Sequence, residues 1–240
     1  EWDIKRIAYA ASFGTEEWEY TPKQTVACGS LIKAFDKVAV REFSAIDLCK
    51  IYFDITAECV VDPTMLLEMT DYIELIRKYI PISDSDNNSH NHRGNLTVYM
   101  LDGSDDKNKV VDQVAITMNL TQCQINKNKD RNIDVHERVQ PSIESWLYAF
   151  YNADFVVTDS FHGCVFSIIF NKPFIVYGNK DRGLARFSSL LSMFNLQNRY
   201  ISSFDELKSD LYDDINWQEV NTVLKEQRQR SQQFLSELLN

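Results

Sequence analysis

Apolar and polar positions along this 240-residue chain fall into two kinds of block: short, β-branched apolar runs, and longer stretches with apolar residues at helical spacing. Over the first 66 residues the pattern predicts strands at 4–10, 37–40 and 57–61, with helices at 22–35 and 44–52 between them. Strands separated by helices of this length imply parallel βαβ crossovers, which are right-handed in nearly all cases. A polar run without periodicity, SDSDNNSHNHRG at 83–94, reads as a surface loop or linker. A second α/β unit follows. Its strands are expected at 96–101 (LTVYML) and 114–118 (VAITM), ahead of an exposed lysine- and asparagine-rich loop at 122–138. Ser142 is placed to cap a helix reaching to about 151, since a serine oxygen accepts from free N–H groups two or three residues on, and Glu144 suits the positive end of the dipole. Then come a strand at 153–157 (ADFVV), a helical apolar run at 165–170, a strand at 174–177, a helix at 184–194, and a long amphipathic helix at 217–239.

One junction in this pattern carries chemistry. ADFVV has the composition of a strand covered on both faces, and TDSFHG at 158–163 leads from it into a helix, so His162 sits near a helix N-terminus at a strand end. Open α/β sheets bind ligands at such points. The unpaired N–H groups and the dipole there favour a bound carboxylate or phosphate beside the histidine.

TDSFHG, followed by NKPF at 171–174 and NKDRGLARFSSLL at 179–191, resembles the C-terminal signature of the polysaccharide pyruvyl transferase family. IAYAASFG at 7–14, VREFSAIDLC at 40–49 and VVDPTMLL at 60–67 resemble earlier blocks of that family in the same order. The resemblance implies an enzyme that moves a pyruvyl group from phosphoenolpyruvate onto a pair of sugar hydroxyls as a ketal, in bacterial cell-surface polysaccharide (exopolysaccharide) biosynthesis. Phosphoenolpyruvate would be a co-substrate, with no cofactor. The acceptor would be a sugar or lipid-linked oligosaccharide, and the enzyme a cytoplasmic protein able to work at the inner membrane face. The fold implied is α/β, two Rossmann-like domains with parallel sheets arranged as in GT-B glycosyltransferases. Residues 1–66 would be the later part of the N-terminal domain, residues 67–215 the C-terminal domain, and residues 216–240 a helix placed to pack across both. Family members usually carry a glycine- and asparagine-rich segment ahead of the IAYAASFG block, and none is present here, so the first domain is expected to be truncated at its N-terminus.

The same resemblance nominates residues. His162 is the candidate acid–base or phosphate-contacting group; the plainer alternative is a core histidine capping its own helix. Ser160, Phe161 and Gly163 accompany it in the substrate-binding block. Some members have arginine where this chain has Ser160, so one positive donor is replaced. Asp159 would either orient His162 or cap the helix. Arg41 matches an arginine implicated in holding phosphoenolpyruvate, a role that suits a bidentate guanidinium; the alternative is a surface arginine paired with Glu42 or Asp47. Lys180, Arg182 and Arg186 form a local basic cluster flanked by Gly178 and Gly183, with Arg186 preferred as a phosphate or acceptor contact and an ordinary solvated turn as the alternative. Ser12, beside Gly14, ends the first strand and is expected to face the cleft.

Composition narrows the partners. A formal charge of −10 argues against nucleic acid as a partner, because phosphate-backbone binding needs clustered excess Lys and Arg. No apolar run reaches the ~20 residues of a membrane span, so no transmembrane segment is expected. The five cysteines, Cys28, Cys49, Cys59, Cys123 and Cys164, lack CxxC spacing and read as reduced thiols. His90 and His92 in the polar loop and His136 in a charged loop give no metal signal, and no metal is assigned. Two further functions stay open. One is a GT-B nucleotide-sugar glycosyltransferase, which would bind a nucleoside diphosphate in place of phosphoenolpyruvate. The other is a noncatalytic fragment, which would bind neither.

Overall fold

The computed structural model describes residues 4–80, 94–126, 139–178 and 183–237, and divides the chain into two compact α/β units. The first unit comprises residues 1–66, 179–197 and 216–240, the second residues 67–178 and 198–215. Both sheets are entirely parallel. Residues 179–197, grouped from sequence with the second domain, thus belong to the first unit, as does the terminal helix.

In the first unit, β1 (Ile7–Ala11), β2 (Lys37–Val40) and β3 (Glu58–Cys59) lie in the order β1-β2-β3. Alternation along β2 decides what covers the sheet. Val38 and Val40 face one way, into a core with Ala45 and Cys49 of α2 (Phe43–Phe53). Ala39 faces the other way, with Ala10 and Val60, against Phe234 of α8 (Trp217–Ser236). Two polar bonds fix α8 there: Val61 N–H donates to Ser231 Oγ (3.1 Å), and Arg228 Nε donates to the Met65 carbonyl (2.8 Å). Helix α1 (Pro22–Ile32) begins at a capping box, with Thr21 and Gln24 exchanging bonds, and buries none of its residues.

The second unit opens with α3 (Met69–Tyr79), which the sequence pattern did not suggest. Its sheet runs β5 (Thr121–Gln124), β4 (Asn95–Tyr99), β6 (Phe155–Thr158), β7 (Phe174–Tyr177), β8 (Tyr200–Ile201). Every residue of β6 and β7 is buried, as strands covered on both faces must be. On one face Leu96, Val98, Phe155, Val157 and Ile175 pack against Val110, Val111 and Val114 of α4 (Asp105–Thr117). On the other, Trp146 and Phe150 of α5 (Ile143–Tyr151) and Phe166 of α6 (Phe161–Ile169) form an aromatic group with Tyr99 and Tyr72. As expected, Ser142 caps α5, accepting from Ser145 N–H.

The strand expected at 114–118 is a correction. VAITM forms the end of α4 and the turn after it, because Ser104 caps that helix, Asp105 and Asp106 occupy its first turn, and Val110, Val111 and Val114 form one apolar face at helical spacing. The strand is instead TQCQ, an exposed edge strand whose polar residues resemble a loop. The other elements shift at their ends by a few residues, and 57–61 shrinks to β3. The loops at 83–93 and 127–138, with His90, His92 and His136, lie outside the described residues.

Candidate active-site elements

At the C-terminal end of β6 the chain turns straight into α6. Thr158 Oγ1 donates to the Tyr99 carbonyl (2.7 Å) and accepts from Ser160 N–H (3.0 Å), so the turn is tied to β4. Ser160 is the N-cap of α6, its hydroxyl accepting from Gly163 N–H at 3.4 Å. Gly163 is needed for packing, since a Cβ there would come under 3.0 Å from the Thr158 side chain. Ser160 and Phe161 are buried as well. His162 alone in α6 is exposed, its ring edge-on to Phe161 with centroids 5.6 Å apart. The core-histidine alternative therefore falls, and His162 stands in the first turn, where the helix dipole favours an anion.

Asp159 neither caps the helix, which Ser160 does, nor bonds His162. Its carboxylate is completely buried, accepts from Leu101 N–H (2.6 Å) and Asp102 N–H (3.3 Å), and pairs with Lys107 Nζ at 2.5 Å. This anchors the loop after β4, the start of α4 and the turn before His162 to one another. Near the end of β7, Tyr177 donates to Asp106 Oδ2 (2.7 Å), which also accepts from Phe204 N–H (2.8 Å). These bonds hold the Asp106 carboxyl below its ordinary range; burial, with the same carboxylate, pushes the Tyr177 phenol up to about 12.

The first unit gathers a second polar set at its strand ends. Arg41 follows β2 directly, its N–H donating to the Ala11 carbonyl of β1 (3.1 Å). Its partner is neither Glu42 nor Asp47: Nη1 pairs with Asp62 Oδ2 at 2.6 Å. Asp62, buried, also accepts from Thr64 N–H and Oγ1, so the carboxylate is fixed before it fixes the arginine. Glu42, wholly buried, accepts instead from the exposed Ser12 hydroxyl. Its Oε2 has no hydrogen-bond partner among the described residues. Burial, with the Glu42 carboxylate beside it, raises the neighbouring Cys59 thiol to about 11, keeping it protonated.

Arg186 joins this unit through α7 (Leu184–Met193). Gly183, the N-cap of α7, has φ +78°, and a Cβ on it would clash with the Gly14 backbone, itself at φ +77°. Farther along, Ser189 Oγ accepts from Phe43 N–H at the start of α2 (2.9 Å). Ser12, Arg41 and Arg186 therefore share one unit, and Ser160, Phe161, His162 and Gly163 share the other. Lys180 and Arg182 lie outside the described residues. Asp62 was missed from sequence, although VVDP puts a carboxylate at a strand end, and Glu42 was weighed there only as a partner for Arg41, not for Ser12.

A comparison with curated proteins finds no match. Among solved structures the chain is similar to the wall teichoic acid polymerase TagF, at 11% identity and a TM-score of 0.42, over 97% of this chain and 59% of that one. The chain thus spans less than two thirds of that structure's length. The sequence profile described as polysaccharide pyruvyl transferase matches residues 1–181, a span that takes in Ser12, Arg41, Asp62 and the whole TDSFHG turn. On that match the chain belongs to the polysaccharide pyruvyl transferase family.

Proposed function

We propose that this protein transfers the pyruvyl group of phosphoenolpyruvate to two hydroxyls of one sugar, forming a ketal, during cell-surface polysaccharide assembly in the bacterial cytoplasm. The observation that carries the reading is the family match across the blocks that hold Arg41 and His162. Phosphoenolpyruvate has a carboxylate and a phosphate, which require fixed positive donors. Arg41, immobilised by a buried carboxylate, is such a donor, and Arg186, Lys180 and Arg182 are the further candidates. A guanidinium held in place loses little entropy when it grips an anion.

The chemistry needs one proton delivered to the enol methylene carbon, which makes C2 electrophilic. The first sugar hydroxyl adds to C2 and loses its proton, inorganic phosphate leaves, and the second hydroxyl closes the ketal with loss of its own proton. We assign proton transfer, or stabilisation of the departing phosphate, to His162, the exposed imidazole in the first turn of α6. Acid–base help of this type is worth roughly 10²- to 10⁴-fold.

Calorimetric titration with phosphoenolpyruvate beside uridine diphosphate tests the donor. Phosphoenolpyruvate should bind and uridine diphosphate should not, with affinity falling in Arg41→Ala, and in Arg41→Lys too because an ammonium cannot replace the bidentate fork. Selective binding of uridine diphosphate would sink the reading in favour of a nucleotide-sugar glycosyltransferase. Unchanged phosphoenolpyruvate affinity in both variants would remove Arg41 from the site.

A further inference from the structure

Between the end of β1 and the start of α1 the chain runs SFGTEEWEY, and these residues form a cleft of about 240 Å³ that the donor chemistry does not use. Phe13, Trp18 and Tyr20 line it together with Glu17, Glu19 and Gln24. The aromatic group is fixed in place. Trp18 stacks on Tyr52 with centroids 4.0 Å apart and planes 7° apart, meets Tyr20 at 4.9 Å and Phe13 at 5.8 Å, and donates its indole N–H to Thr25 Oγ1 at 2.9 Å. Yet the group is not core: Tyr20 is 41% exposed and Tyr52 40%.

We infer that this cleft is a saccharide subsite that holds a neutral sugar ring of the acceptor. Three observations point to that ligand class. Aromatic faces are electron-rich, and the C–H faces of a pyranose present weakly positive hydrogens to them, while the sugar's hydroxyls find acceptors in Glu17 and Glu19. No lining residue is Lys or Arg, and two are carboxylates, so a phosphate or carboxylate is repelled. The volume falls below the roughly 300–1,000 Å³ of pockets for drug-sized ligands, which suits a single ring. The segment leaves the C-terminal end of β1 immediately after Ser12, on the edge of the sheet where α/β folds place ligands, in the same unit as Arg41.

The identification of the bound sugar as the acceptor rests on the pyruvyl-transfer reading; the binding itself does not. The test is therefore run in two arms on one preparation. The protein is applied to an array of neutral and acidic oligosaccharides, the best-bound glycan is titrated by calorimetry, and phosphoenolpyruvate is titrated separately. The variants are Tyr20→Ala, Trp18→Phe and the pair Glu17→Gln with Glu19→Gln, each checked by thermal melting. Neutral glycans should bind, with at least about tenfold weaker binding in Tyr20→Ala and in the double Gln variant while melting and phosphoenolpyruvate affinity hold. Trp18→Phe, which keeps an aromatic ring, serves where a larger truncation unfolds the loop, and should weaken the glycan in the same direction. No glycan bound, glycan affinity unchanged in all three variants, or uridine diphosphate binding lost in these same variants would each overturn the subsite. Glycan binding as expected with no phosphoenolpyruvate binding would uphold the subsite and overturn the donor reading.

Discussion

The strand ends of the two units spend their buried charges differently. In the second unit Asp159 and Lys107 are both buried and satisfy one another and the backbone, so the ion pair locks the turn and leaves His162 as the exposed residue of α6. In the first unit the buried carboxylates of Asp62 and Glu42 each hold a more exposed group, Arg41 and Ser12. The contrast teaches that one turn is built for rigidity around a single side chain, whereas the other uses buried acids to position donors at a surface.

The largest effect should come from cutting the internal pair. Lys107→Ala leaves the Asp159 carboxylate buried without its counter-charge, and should cost about 3–5 kcal/mol in a urea unfolding experiment. A loss below 1 kcal/mol would show that water reaches that pair and the contrast is false. Gly183→Ala comes next, at about 2–3 kcal/mol by the same measurement, since an L-residue at φ +78° is strained and its Cβ meets the Gly14 backbone. For the positioning pair, Asp62→Asn should cost only about 1–2 kcal/mol of stability but weaken phosphoenolpyruvate binding about tenfold, because the guanidinium loses its orienting charge. Equal loss of affinity in Asp62→Asn and a destabilised core control would reduce Asp62 to a packing role.

The smallest effect is one of pH. Asp106 is held below its ordinary value near 3.8 in the folded chain, so the stability it lends is full above that value and drains away as the pH falls through the lowered one. Tyr177→Phe removes the phenol bond and should flatten the acid side of the stability curve below pH 4 while leaving its neutral side nearly level. An unaltered acid limb would mean the Phe204 amide alone sets the shift.

Much of this was legible because it rests on local pattern. ADFVV followed by TDSFHG gave the buried strand, the helix turn and His162 together, since burial on both faces leaves an uninterrupted apolar run. VAITM misled because a helix buried on one side presents the same apolar letters, and TQCQ was invisible because an edge strand has no face that demands them. Asp62 as the partner of Arg41, and Glu42 as the partner of Ser12, depend on β1, β2 and β3 lying side by side, which spacing along the chain does not reveal. The same holds for 179–197: nothing in its composition says which sheet it will join.

That last segment carries a consequence for how the molecule assembles. The first unit is discontinuous, stitched by Phe43 to Ser189 and by Val61 to Ser231, across separations of 146 and 170 residues. A chain emerging from the ribosome cannot complete this unit until α8 has been synthesised, whereas residues 67–178 of the second unit can begin folding well before then. The polar donors at the first unit's strand ends are thus set late in biogenesis, and a chain cut short before α8 would lack the Ser231 and Phe234 contacts on which the first sheet rests.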